Sequence, residues 1–126
     1  MAQRFQVLIV GDTADVMRFK FLLEEEGVGI WSADKFHKAL EIALQDHPDA
    51  IMFVLPRYWE DVTEFIKKIR SHTELAETII FYLGSLIEGE DQILLHRWGV
   101  KTLTLGPVPD TEVVRYVMRL LKHAHP

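Results

Sequence analysis

The sequence predicts an α/β fold in which five strands and five helices alternate and form three layers. Apolar segments of strand length recur five times, and a segment with helical spacing of apolar residues follows each of them. No tight two-residue hairpin turn joins two strand segments. This alternation is typical of a parallel sheet covered on both faces by helices through right-handed crossovers. With 126 residues, 48% of them hydrophobic, the chain suits one domain over residues 1–126.

The five strands are expected where apolar runs are bounded by polar or turn-forming residues. In chain order they cover residues 5–10, 28–31, 50–55, 78–83 and 102–105. The third run is apolar throughout, which is typical of a strand buried on both faces of a sheet.

The first two helices follow from apolar stripes and end signals. In the first helix Asp12 or Thr13 is the expected N-cap, and Gly27 is placed to end it in the left-handed conformation. The second helix is expected to start at Ser32 or Asp34 and to stop before Pro48. The stripe of the first helix is Val16, Phe19, Leu22 and Leu23, and that of the second is Phe36, Ala39, Leu40, Ala43 and Leu44.

The last three helices follow the later strands. The third is expected over residues 60–70, and the fourth over about 89–98, with Gly99 as its C-terminal stop. The fifth begins after Pro109 and Asp110 and reaches about Lys122. The stripe of the third helix is Val62, Phe65, Ile66 and Ile69.

Composition excludes several classes of function. There are no cysteines, which excludes disulfides, thiolate zinc sites and cysteine nucleophiles. The formal charge of −5 opposes non-specific attraction to nucleic acid or to an anionic membrane surface. The six histidines lack metal-ligand spacing, so we expect no metal site. No signal-peptide segment or membrane-length apolar run occurs, which indicates a cytoplasmic protein.

The carboxyl ends of the predicted strands carry little chemistry. In open parallel sheets, ligands and reactive side chains gather outside these ends. One carboxylate, Asp12, and one hydroxyl, Ser85, are too few for most catalytic schemes, so we expect no enzymatic activity and no cofactor. Asp12 and Asp15 in the loop after the first strand would also repel a nucleotide phosphate. The ends are Gly11-Asp12, Val54-Leu55-Pro56, Gly84-Ser85 and Gly106-Pro107.

The order of the elements resembles the receiver domain of two-component response regulators, the CheY-like family. The resemblance covers nearly the whole chain and rests on the segments Val7–Asp12, Leu22–Gly27, Pro48–Phe53 and Thr73–Glu77. It implies a flavodoxin-like (βα)5 sandwich with strand order 2-1-3-4-5. In that family, an acidic pair after strand one and an aspartate ending strand three hold magnesium, and the latter aspartate accepts a phosphoryl group. Magnesium needs such clustered hard oxygen ligands.

The family's phosphorylation site is degenerate in this chain. Gly11 replaces the first acid, Asp12 keeps the second, and Val54 stands in place of the phosphoacceptor aspartate. Valine cannot be phosphorylated. Asp12 alone is at most a weak remnant of a metal site, and helix capping is the simpler role for it.

The remaining signature positions of the family are also replaced. The hydroxyl that should end strand four falls on Gly84, although an alignment shifted by one residue would restore Ser85. Leu103 replaces the switch aromatic of strand five, and Gly106 replaces the lysine before Pro107. The resemblance therefore predicts a non-phosphorylatable pseudo-receiver that acts as a regulatory protein-interaction module. The alternatives are an active phosphorelay receiver with a shifted site, and a flavodoxin-like domain that binds a small molecule or nucleotide.

A basic stripe on the fifth helix is the candidate interaction surface. Arg115, Arg119 and Lys122 recur at helical spacing, although such a stripe is also typical of a solvated face. With Trp98 they suggest anchors for a protein partner or a homodimer on the face formed by helix 4, strand 5 and helix 5, as the resemblance implies. The loop containing Tyr58 and Trp59 is the second choice.

Overall fold

The computed structural model describes residues 4–57, 59–85, 87, 89–106 and 108–124, and these form a five-stranded parallel sheet between two layers of helices. The order in the sheet is β2-β1-β3-β4-β5, so the predicted fold class and strand order are confirmed. The strands are β1 Gln6–Val10, β2 Gly29–Ala33, β3 Ala50–Val54, β4 Ile79–Gly84 and β5 Val100–Thr104.

In the described ranges, four α-helices and one short 3-10 helix connect the strands, and a fifth α-helix follows β5. The α-helices are α1 Thr13–Glu25, α2 Phe36–Asp46, α3 Trp59–Ser71, α4 Gly89–Arg97 and α5 Asp110–Ala124. The 3-10 helix, Thr73–Leu75, precedes β4 and was not predicted. None of the helices in the described ranges has the length and apolar character needed to cross a membrane.

The sheet separates two hydrophobic clusters, because successive side chains of a strand point to opposite faces. Met52 and Val54 of β3 belong to the cluster formed with α1 and α5, whereas Ile51 and Phe53 belong to the cluster formed with α2, α3 and α4. All five residues of β3 are buried. The third strand is therefore buried on both faces, as its sequence predicts.

Several element ends differ from the prediction, and three of them show the cause. The second helix begins at Phe36 with Lys35 at the N-cap, so neither Ser32 nor Asp34 starts it. Ser32 lies in β2, because that strand continues to Ala33 through pairing with β1. β5 begins at Val100, two residues before the predicted start, because Val100 pairs with Ile80 of β4. Register with neighbouring strands, which local composition does not encode, sets these bounds.

Arg70 joins the end of α3 to two later elements. Its guanidinium donates hydrogen bonds to the carbonyl oxygens of Trp98 at 3.0 Å, Ala76 at 3.1 Å and Thr78 at 2.8 Å. Burial lowers the pKa of Arg70 from its usual value. These bonds fix the end of α4 and the segment entering β4 against α3, on the side of the sheet opposite α5.

Candidate functional site

The strand register brings the candidate site residues to one edge of the sheet. Val10 of β1 pairs with Phe53 of β3, and Val54 of β3 pairs with Leu83 of β4. Pairing continues past the strand ends, since the Leu55 amide donates to the Leu83 carbonyl at 2.7 Å. The loops that follow β1, β3 and β4 therefore meet at this edge, as the sequence predicts.

Val54 ends β3 with its side chain fully buried. Its relative exposure is 0%, and it packs in the cluster formed with α1 and α5. A carboxylate here would be removed from water, and burying an unpaired charge is costly. The position that corresponds to the phosphoacceptor thus belongs to the hydrophobic core in this chain.

Gly11 lies against the backbone at the end of β3. A Cβ atom added to Gly11 would lie 2.8 Å from the Val54 carbonyl oxygen, which is closer than real Cβ contacts allow. The backbone must therefore move before any side chain, including an aspartate, is accommodated at this position. Gly11 also donates its amide proton to the Ala33 carbonyl at 3.1 Å, which ties the loop to β2.

Asp12 pairs with an arginine from the loop after β3. Its Oδ2 atom accepts a hydrogen bond from Arg57 Nη2 at 2.7 Å, and both side chains are exposed. Asp12 occupies the N-cap position of α1, as predicted, but its side chain makes no capping hydrogen bond. The predicted capping role is therefore wrong for the side chain, because the arginine competes for the carboxylate.

A second carboxylate lies near this pair. Asp34, which the sequence suggested only as a helix start, lines a cavity of about 190 Å³ together with Asp12 and Arg57. In the described part of the chain, no group of three or more acidic or histidine side chains is placed to hold a metal ion. Asp12 is already paired with Arg57, so a cation in this cavity would have to displace the guanidinium before it could use both carboxylates.

A larger groove, which we call the aromatic groove, opens between the loops after β3 and β4. Trp59, Tyr82 and Ser85 contribute to its lining, and its volume is about 350 Å³. The rings of Trp59 and Tyr82 meet edge to face with centroids 6.0 Å apart. Burial, together with the negative charge of Asp91, raises the pKa of the Tyr82 phenol above its usual value.

The other positions that the resemblance maps to the phosphorylation site are also placed at or near this edge. Gly84 ends β4, where an added Cβ would lie 3.1 Å from Tyr82 Cε1, and the next residue, Ser85, is exposed. Leu103 of β5 is half-buried and packs against the α1 and α5 cluster. Gly106 has a φ of +128°, which favours glycine. Pro107 lies outside the described residues.

The structure divides the candidate interaction residues between two surfaces. Arg115, Arg119 and Lys122 of α5 line a groove of about 560 Å³ whose other side is α1. Trp98, at the end of α4, packs instead with the cluster on the opposite face of the sheet. The basic stripe and Trp98 therefore do not form one continuous patch. Tyr58 lies outside the described residues, and Trp59 lines the aromatic groove.

Sequence reasoning missed Arg57 and the acidic residues opposite the basic stripe. Arg57 follows Pro56 in the loop after β3, and a cation in that loop was the available signal for a partner of Asp12. Glu25 and Glu26 line the groove between α1 and α5. The run of three glutamates before Gly27 was the available signal for them in the sequence. Both signals require knowing which loops and helices are neighbours in space.

Comparison with known proteins identifies the fold. No protein-family model and no curated protein matches the chain. A CheY-like response regulator receiver domain from Methanospirillum hungatei JF-1 superposes with a TM-score of 0.83 at 18% identity, over 96% of each chain. A response regulator from Thermotoga maritima gives 0.81 at 17% identity, covering 95% of this chain and 99% of that one. The chemotaxis protein CheY4 of Vibrio cholerae gives 0.80 at 19% identity, covering 93% and 98%. These likenesses show that the chain has the receiver-domain fold.

Proposed function

We propose that this chain is a pseudo-receiver, a regulatory module of two-component-type signalling that binds other proteins without carrying an aspartyl phosphate. Response regulators share its fold, and that likeness motivates the choice of pathway. The observation that carries the proposal is the buried Val54 side chain at the end of β3. Asp12, the acid that the resemblance maps to the metal site, is engaged by Arg57.

A phosphorylation assay tests the absence of aspartyl phosphate. After incubation with acetyl phosphate and magnesium, intact-mass spectrometry should show no added phosphoryl group, and beryllofluoride should leave the amide NMR spectrum unchanged. The reason is that no described carboxylate stands at the end of β3 and that Asp12 is already paired with Arg57. A stoichiometric gain of one phosphoryl group would instead support the alternative of an active receiver with a shifted site.

The proposed docking face for a protein partner consists of α4, β5 and the adjacent side of α5. Ile93 on α4 and Val108 after β5 are apolar yet 55% and 40% exposed, respectively. β5 is the edge strand, with Lys101 and Thr104 exposed. The Gln92 amide donates to the Thr102 hydroxyl at 3.3 Å, which holds α4 against β5. Exposed apolar groups with a polar surround are typical of protein interfaces.

Substitution at Ile93 tests this face. Ile93→Asp should weaken capture of the native partner from a cell extract by at least about tenfold, because a charge would be placed in an apolar contact. Trp31→Asp is the matched control, since Trp31 is 40% exposed and lies on the opposite edge strand, β2. Equal partner capture by both variants and the wild-type chain would move the docking face elsewhere.

The aromatic groove favours a second candidate function, the binding of a small molecule. Its position outside the carboxyl ends of β3 and β4 is the usual ligand position in this class of sheet. A thermal-shift screen of small molecules tests this candidate, and a hit should lose its effect in Trp59→Leu. Binding unaffected by that substitution would exclude the aromatic groove as the ligand site.

A further inference from the structure

The groove between α1 and α5 has banks of opposite charge. Glu25 and Glu26 lie on the α1 bank, and Arg119 and Lys122 lie on the α5 bank. The floor between them is apolar and includes Leu22, Val114 and Met118. With a volume of about 560 Å³, this groove is larger than the cavities at the carboxyl edge of the sheet described above.

The charges of the two banks do not neutralise each other across the groove. The α1 and α5 helices are joined at one end, where Arg18 contacts Asp110 with 2.9 Å between Nη2 and Oδ1. Among the described residues, no ion pair within 4.0 Å joins Glu25 or Glu26 to α5. Arg115 is paired with Glu112 on its own helix, whereas Arg119, which lies over the Tyr116 ring, and Lys122 form no ion pair within 4.0 Å among the described residues. The two carboxylates and these two cations therefore remain available to a partner.

A large apolar side chain projects beside the acidic bank. Phe21 of α1 is 58% exposed, and it lies one helical turn before Glu25. Phe21 does not itself line the groove, but it adds exposed apolar surface to α1 one turn from the acidic bank. The apolar floor between two charged banks has the composition of an interface, with an apolar centre and a charged rim.

We propose that this surface binds a second copy of the same chain, forming a symmetric dimer through α1 and α5. A twofold axis along the groove places the acidic bank of each copy against the basic bank of the other, with the four helices as one bundle. A twofold axis across the groove would place like charges together, which is unfavourable. The inference rests on the proposed function in one respect, since it names a partner for the proposed interaction module.

The first test is reversal of one bank at a time. Wild-type chain should dimerise in sedimentation equilibrium, more weakly at high salt, because the contacts at the rim are ionic. Arg119→Glu with Lys122→Glu, or Glu25→Lys with Glu26→Lys, should each raise the dimer dissociation constant by about tenfold or more. Lys38→Glu with Lys67→Glu is the control for the first pair, since it makes the same charge change on exposed residues of α2 and α3.

The second test is the mixture of the two reversed variants. One variant has two acidic banks and the other has two basic banks, so together they should form a heterodimer although each is weakened alone. All variants should keep a wild-type thermal midpoint, because the altered side chains are exposed. A wild-type monomer at every concentration, a dimer insensitive to either reversal, or no association in the mixture would overturn the proposal.

The phosphorylation assay separates this inference from the proposed function. A chain that dimerises through the groove and also gains a phosphoryl group would retain the dimer and refute the pseudo-receiver. A chain that remains monomeric and gains no phosphoryl group would refute the dimer and retain the pseudo-receiver.

Discussion

At the scale of single residues, three positions at the carboxyl edge of the sheet are held by contacts within the chain. Val54 contributes to the core, Gly11 lies against the Val54 carbonyl, and Asp12 is paired with Arg57. The Val54 side chain and the Asp12 carboxylate each contact a neighbouring group of the chain rather than a metal ion. At Gly11, the absence of a side chain allows the close approach of the Val54 carbonyl. The identity of the residues was readable from the sequence, but their contacts were not.

Introducing an aspartate at the end of β3 should destabilise the chain without allowing phosphorylation. Val54→Asp should lower the free energy of unfolding by about 1–3 kcal/mol, because the carboxylate would replace a buried methyl pair. Denaturant unfolding with and without magnesium checks this, with Val54→Ala as a control for lost packing alone. A magnesium-dependent gain in stability of Val54→Asp would contradict the expectation.

Tyr82 should make stability fall at alkaline pH. Its pKa is raised in the folded chain by burial and by Asp91, so the unfolded chain releases the phenol proton first. The free energy of unfolding should therefore decrease as the pH rises from about 10 through the raised pKa. Comparing urea unfolding of the wild type and Tyr82→Phe between pH 8 and 11 isolates this effect. Parallel curves for the two proteins would show that Tyr82 does not contribute.

At the scale of elements, the periodicity of apolar residues was sufficient to predict every α-helix and strand. The apolar stripe of α3 and the continuous run of β3 are both buried, because apolar burial drives the assembly. The start of α2 and the path of the loop after β3 could not be predicted in this way. Leu55 adopts a φ of +48°, which nothing in a leucine side chain indicates, and Arg57 follows two residues later.

Arg70 is expected to be the main polar link between elements on its side of the sheet. Arg70→Ala should lower the free energy of unfolding by about 2–4 kcal/mol, because three carbonyl oxygens would lose a charged donor. Arg70→Lys should recover only part of this loss, since an ammonium group cannot reproduce the geometry of the guanidinium. Chemical denaturation of both variants measures the difference. Equal stability of Arg70→Ala and the wild type would show that water replaces these bonds at no cost.

At the scale of the whole molecule, burial decreases from the centre of the sheet to β5. β1 and β3 are almost entirely buried, whereas Val100 is the only buried residue of β5. The receiver-domain fold was predictable from the sequence because it depends on this distribution of apolar segments. The neighbouring surfaces of α1 and α5 were not, since their residues are about 90 positions apart in the chain.

Amide hydrogen exchange should reflect this gradient. Amides of β1 and β3 should exchange most slowly, through global unfolding, and those of β5 most quickly among the strands, through local opening. Exchange measured by NMR in native buffer checks the order, with the exposed β2 residues Trp31 and Ser32 for comparison. Protection of β5 equal to that of β3 would indicate that a partner or a second copy covers the edge strand.

The close approach of Gly11 to the Val54 carbonyl also limits which substitutions this edge of the sheet can accept. An acid introduced at either position alone would meet a steric conflict at Gly11 or become an unpaired buried charge at Val54. A cluster of acids at this edge would therefore need both substitutions together with release of Asp12 from Arg57. The 2.8 Å approach thus makes the three positions interdependent, so that no single substitution would build such a cluster here.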